Sequence, residues 1–254
     1  MKGATRSGKF MSIRIQYFYR YLPALMLALA MTHAHAGDDY IVYSPHVDKG
    51  ELEVEARGYR SSDADKTVDG CGMAGLALAY SPLSWWKTEL YAGPLERDPV
   101  AGTHFRGVEW ENFIQLAEKG EHWVDTGLLL AYAHNNNPAT PNSLELGALF
   151  QKDTPLLLNR LNLIWEKPSG VDFFGKFNFR AAYAGGVRLW DAFAPGVEAF
   201  YRPNDNSRQV GPAFSGKLKV GHEQALEYSA ALVYGINHWG PEKTFILRAS
   251  LVFE

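Results

Sequence analysis

Leu226-Glu227-Tyr228-Ser229-Ala230-Ala231-Leu232-Val233-Tyr234 and Phe245-Ile246-Leu247-Arg248-Ala249-Ser250-Leu251-Val252-Phe253 close the chain as two alternating runs. A turn-like Ile236-Asn237-His238-Trp239-Gly240-Pro241 lies between them. In the first run Leu226, Tyr228, Ala230, Leu232 and Tyr234 share one side. In the second, Phe245, Leu247, Ala249, Leu251 and Phe253 do. Period two means strands with two unlike faces. One face is aliphatic and aromatic; the other tolerates Glu227, Ser229, Arg248 and Ser250. A membrane-spanning barrel strand has this pattern, apolar toward lipid and polar toward the lumen. A soluble sandwich produces it once; the rest of the chain decides.

The N-terminus reads as a targeting segment. Basic residues are spread from Lys2 to Arg20, an apolar core follows from Leu22 to Met31, and Ala34-His35-Ala36 has the small-x-small form of a cleavage site. The apolar core is too short for a transmembrane helix. Residues 1–36 are therefore read as a signal peptide and 37–254 as the mature barrel domain. Net charge is −3 and no basic block exists, which excludes an electrostatic nucleic-acid binder. Cys71 is alone, so no intrachain disulfide forms. Mean hydropathy is −0.22, as expected when only one face of each strand meets lipid.

The alternation recurs along the whole chain. Strands are expected over about 50–60, 71–80, 85–93, 105–116, 123–133, 143–151, 157–166, 173–183, 195–202, 210–220 and the closing pair. No long stretch has helical periodicity. An all-β, closed antiparallel transmembrane barrel of about twelve strands follows, because backbone amides in lipid must all be paired and a closed sheet pairs them. Long connections after the odd strands 1, 3 and 5, and short ones after 2, 4, 6 and 10, suggest longer extracellular loops and short periplasmic turns.

The chain resembles the Gram-negative outer-membrane β-barrels, and within them a group of small proteobacterial barrel proteins largely without assigned function. The features that carry the resemblance are Tyr40 to Lys49, the hairpin around Gly196-Val197-Glu198-Ala199-Phe200, Gly211-Pro212 and the C-terminal strand. It implies the cell outer membrane as location, outer-membrane lipids as surroundings and insertion by the barrel-assembly machinery. Barrels of this kind commonly end on an aromatic residue; here Phe253 keeps the register but Glu254 follows. The lipid-hydrolysing barrels carry a compact His-x-Ser-Asn kind of signature that this sequence lacks. His104, His122, His134, His222 and His238 fall in turns or at strand ends, without metal-ligand spacing. No catalytic residue, metal site or cofactor is expected.

The polar face defines the candidate site. Its acidic wall is Glu51, Glu53, Glu55, Glu89, Glu109, Glu111, Asp125 and Glu145; its basic wall is Arg160, Lys176, Arg180, Arg202, Lys217, Lys219 and Arg248. Acids dominate strands 1–6 and bases strands 7–12. Charges inside a barrel must meet opposite charge or water. An open lumen makes a narrow channel for small polar or ionic solutes, with a transverse field. A lumen closed by pairing makes a sealed structural or surface-interaction barrel that anchors or docks a partner protein. Gly107, Gly127 and Gly147 are expected to leave local space inside.

Overall fold

The computed structural model describes residues 40–99, 102–136, 141–169 and 177–253. The expected signal peptide, Lys176 and the start of the eighth strand, 173–176, lie outside the described residues. Alternation produces twelve antiparallel strands: β1 Leu52–Ser62, β2 Gly72–Leu83, β3 Trp86–Asp98, β4 in two pieces (Gly102–Phe105 and Gly107–Gln115), β5 Asp125–Asn135 and β6 Ser143–Gln151. They continue as β7 Leu157–Pro168, β8 Asn178–Val187, β9 Ala194–Arg202, β10 Ser207–Lys219, β11 Gln224–Gly235 and β12 Lys243–Phe253. Each strand pairs with its chain neighbours, and β1 pairs with β12 from Leu52↔Phe253 to Ser62↔Lys243. The sheet is therefore a closed barrel without a free edge. No helix of the described residues is long and apolar enough to cross a membrane.

Both pieces of β4 pair with β3. The break at Arg106 turns its side chain inward, where Nε donates to Asn135 Oδ1 at 3.2 Å. Gly107 resumes the strand with φ 153°, and a Cβ there would lie 1.9 Å from the His134 carbonyl oxygen. Glycine here permits close backbone approach rather than leaving lumen space.

The two faces differ as the period demands. Leu78, Leu90, Trp110, Leu130, Leu144, Leu146, Val197 and Phe245 are exposed on the outside, while Glu89, Glu111, Leu129, Leu149, Asn162 and Ile164 are buried inside. Exposed Tyr80, Trp110, Tyr132, Trp165, Tyr201 and Tyr234 add amphipathic rings to the outer face.

The connections depart from the expected long-and-short rule. At the end away from the termini the fully described connections are 63–71, 203–206 and 236–242; at the terminus end they are 84–85, 116–124, 152–156, 188–193 and 220–223. The long loop expected after β3 shrinks because β3 and β4 continue pairing through Asp98↔Gly102. His104 accordingly lies in a strand, with Nε2 3.6 Å from Glu96. The connection after β4, expected to be short, is one of the longer ones.

Candidate functional site

The lumen is occupied by the chain's own N-terminal segment. Before β1, residues 40–48 run extended through the barrel, with Tyr40, Ile41, Val42, Tyr43, Pro45 and Val47 buried. The root of this strap is fixed at the terminus end, where Lys119 Nζ meets Asp48 Oδ2 at 2.6 Å and Gly50 N donates to Ser81 O at 2.8 Å. Its far end lies near the opposite rim, where the Tyr40 hydroxyl donates to Gln209 Oε1 at 2.5 Å. Extended chain of this length reaches roughly 30 Å, about the thickness of a bilayer's hydrocarbon core.

Alternation places the strap's side chains against two walls. Ile41 and Tyr43 pack with Phe113, Leu129, Ala131, Leu149 and Ile164, from β4 to β7. Tyr40 and Val42 pack with Tyr59, Met73, Tyr91, Phe200, Val233 and Ile246 on the other side. Burial takes the strap's backbone out of water, so its polar groups need partners from the wall. Asn162 supplies two: Tyr43 N donates to its Oδ1 at 2.6 Å, and its Nδ2 donates to Tyr43 O at 3.0 Å. Val47 N donates to Gln115 Oε1 at 2.7 Å, and Arg248 Nη2 donates to Tyr40 O at 2.9 Å. The Ser44 hydroxyl donates to Gln151 Oε1 at 2.7 Å.

His46 ties the strap to the wall through its imidazole. Its Nε2 lies 2.9 Å from Asp125 Oδ2, and Asp125 Oδ1 also accepts from Gly120 N at 2.7 Å. Its Nδ1 faces Gln151 Nε2 at 3.4 Å. Ser44 turns its hydroxyl to Gln151, so the group reads as an anchor rather than a nucleophile–base pair. Among the described residues, no group of three or more His, Cys, Asp or Glu side chains is placed to hold a metal ion.

The wall charges form local clusters around the strap. Arg57 reaches Glu89 at 2.9 Å, Glu111 at 2.5 Å and Glu55 at 3.4 Å, and lies 3.9 Å above the Tyr91 ring. Lys87 meets Glu53 at 3.4 Å. Arg180 grips Glu145 through two bonds of 2.8 Å, and Arg248 grips Glu198 through bonds of 2.9 and 2.8 Å. Glu109 is buried and also engaged. Arg202 stands over the Tyr40 ring at 5.7 Å. Toward the terminus-end rim, Lys217 pairs with Glu227 at 3.0 Å, Lys219 is exposed and Arg160 is half-buried. Glu51, just outside β1, has its carboxyl raised to about 7 by burial and by neighbouring Glu53.

The inward glycines are accounted for by packing. A Cβ on Gly127 would lie 2.8 Å from Pro45 Cβ of the strap, and one on Gly147 2.9 Å from Leu129 Cβ. The strap residues and the amides Gln115, Gln151, Asn162 and Gln209 were not singled out as a site by the charge pattern. Two signals point to them: an apolar Tyr40-Ile41-Val42-Tyr43 shortly after the expected cleavage site, beyond Gly37-Asp38-Asp39, and apolar Phe113, Leu129, Leu149 and Ile164 on the face reserved for polar groups.

No family model and no curated protein matches the sequence. Among solved structures, an outer-membrane channel from Pseudomonas putida F1 is similar at a TM-score of 0.53 and 12% identity, covering 87% of this chain and 99% of that one. The KdgM porin in complex with disordered oligogalacturonate has a TM-score of 0.49 and 7% identity, over 80% of this chain and 98% of its own. The NanC porin has 0.48 and 10%, over 80% and 99%. At such identities the likeness shows the fold alone, a closed antiparallel β-barrel of the kind found in outer-membrane proteins, with no smaller group singled out.

Proposed function

We propose that this protein is a channel of the Gram-negative outer membrane, closed in the state described by its own N-terminal strap. The observation that carries the reading is the strap's course, lengthwise through the lumen with Tyr40 and Val42 buried against one wall and Ile41 and Tyr43 against the other. The path it occupies is bordered by Arg57, Glu111, Asn162 and Arg248 beside the apolar patches, a lining suited to small polar or ionic solutes. Passage therefore requires the strap to leave.

A second reading is supported by the number of wall groups that end on the strap. Asn162, the Oε1 atoms of Gln115 and Gln209 and the β4–β7 apolar patch lose their strap partners if it withdraws, which favours a permanently sealed barrel that docks a partner protein. Planar-bilayer recording separates the two. Wild type should be silent, and Ile41→Ser/Tyr43→Ser should show discrete conductance while retaining a heat-modifiable folded form. A folded double variant that stays silent supports the sealed barrel and rejects the channel.

A further inference from the structure

The outer surface carries a charge asymmetry that the lumen does not explain. Among the described residues, the charged side chains that the strands turn outward are Arg60, Arg97, Lys167, Arg208 and Lys243. All are basic, and all lie at the end away from the termini. The faces follow from register, since directly paired residues share a side. Arg60 pairs with exposed Phe245, Lys243 with exposed Tyr234, Arg208 with exposed Tyr201 and Lys167 with exposed Leu144. At the terminus end the corresponding outward positions include Leu52, Tyr80, Trp86, Phe150, Leu218 and Phe253.

Within this set Arg60 and Arg97 form a local site. Arg60 of β1 pairs with Gly72 of β2, and Gly72 pairs with Arg97 of β3, so the two arginines share one face with only a glycine between them. Their guanidinium groups converge over Gly70. A Cβ on Gly70 would lie 3.7 Å from Arg60 Nη2 and 3.8 Å from Arg97 Cζ. Lys243 sits one strand away, paired with Ser62.

Nearby carboxylates are engaged elsewhere. Asp69 meets Lys66 at 2.9 Å, Asp65 accepts from the Thr67 hydroxyl at 2.8 Å, and Asp63 accepts from Glu242 N at 3.1 Å. Among the described residues neither guanidinium has a carboxylate partner. Two like charges brought together cost free energy unless an anion neutralises them. Exposed Leu95 and Phe245 lie on the same outer face, so an anion here would have apolar surface beneath it.

We infer that Arg60 and Arg97, with Lys243 beside them, hold the phosphate of an anionic lipid headgroup whose acyl chains lie against the barrel wall. The other basic residues extend the same preference around the rim. The end that bears them then faces the leaflet richer in phosphorylated lipid. This rests on the reading of the barrel as membrane-spanning, and not on closure by the strap.

The test is native mass spectrometry of the full-length folded barrel in neutral detergent, titrated with phosphatidylglycerol, phosphatidylcholine or inorganic phosphate. Phosphatidylglycerol should remain bound to wild type. Arg60→Gln/Arg97→Gln should weaken it by roughly 10- to 30-fold, given the worth of a basic residue near an anionic surface. Arg60→Lys/Arg97→Lys should keep most of the affinity. If the glutamine pair does not fold, Arg97→Gln alone is read instead, with about fivefold weakening expected. Three results would overturn the proposal: undiminished phosphatidylglycerol binding by the folded glutamine variant, equal retention of phosphatidylcholine by wild type, or displacement of phosphatidylglycerol by equimolar inorganic phosphate. The last would mark a site for free anions rather than lipid.

Discussion

The strap lies between two unlike walls. From β4 to β7 the lumen offers a contiguous apolar patch, Phe113, Leu129, Leu149 and Ile164, interrupted by the amide of Asn162. Across from it, the wall around β12, β1 and β3 mixes rings and small residues with buried charge. There Arg57 sits between Glu89 and Glu111, and Arg248 between Glu198 and the strap's own carbonyl. The first wall holds by apolar burial and shape; the second gains attraction only where every charge keeps its partner. A strap gripped by both should therefore fail in two distinguishable ways.

The largest effect is expected on the charged side. Arg57→Met leaves Glu89 and Glu111 together inside and should cost about 3–5 kcal/mol. Unfolding in denaturant, followed by the loss of heat-modifiable mobility, reads it. A loss under 1 kcal/mol would mean that water already reaches those carboxylates. On the apolar side Leu149→Ala should cost about 2–4 kcal/mol through the cavity it opens beneath Ile41 and Tyr43. Unlike the first change, it should leave the response to salt unaltered; strong salt sensitivity would blur the distinction between the walls.

A smaller effect belongs to the rim where the strap enters. Glu51 has its carboxyl raised to about 7 in the folded protein, first by burial and then by Glu53. A folded-state value above the unfolded one means this group's contribution is fully present below about pH 4.5 and is lost as pH rises through 7. Thermal stability measured between those limits should fall in wild type and fall less in Glu51→Gln. Parallel curves would remove Glu51 from the account.

The difference between wall and strap also explains what could be read from the sequence. Period-two alternation repeats in every strand, so the closed twelve-stranded barrel and the two faces are legible from runs such as Phe245 to Phe253. Strand ends are less so, because β3 and β4 pair on to Asp98 and Gly102 through a stretch that includes Pro94, Asp98 and Pro99 and reads as loop. The strap is of another kind. Nothing in Tyr40-Ile41-Val42-Tyr43 states where it packs; that depends on Asn162, Gln115 and Gly127, contributed by three different strands. Charge pairing was hidden for the same reason. Division of acids and bases by strand number suggests opposed walls; Arg180 does reach Glu145 of the acidic set, whereas Arg57 and Arg248 find carboxylates within their own halves.

Closure by the strap is tested most directly by tying it in place. Gly127 and Pro45 approach closely enough that cysteines at both positions fall within reach of a disulfide after a small shift. Pro45→Cys/Gly127→Cys is introduced into Ile41→Ser/Tyr43→Ser, with Cys71→Ser to remove the native thiol, and conductance is recorded in planar bilayers before and after reduction. If the strap closes the lumen, the oxidised form is silent and discrete channels appear once the bond is reduced. Equal conductance in both states would contradict it, because the ions would then be passing a strap that cannot move.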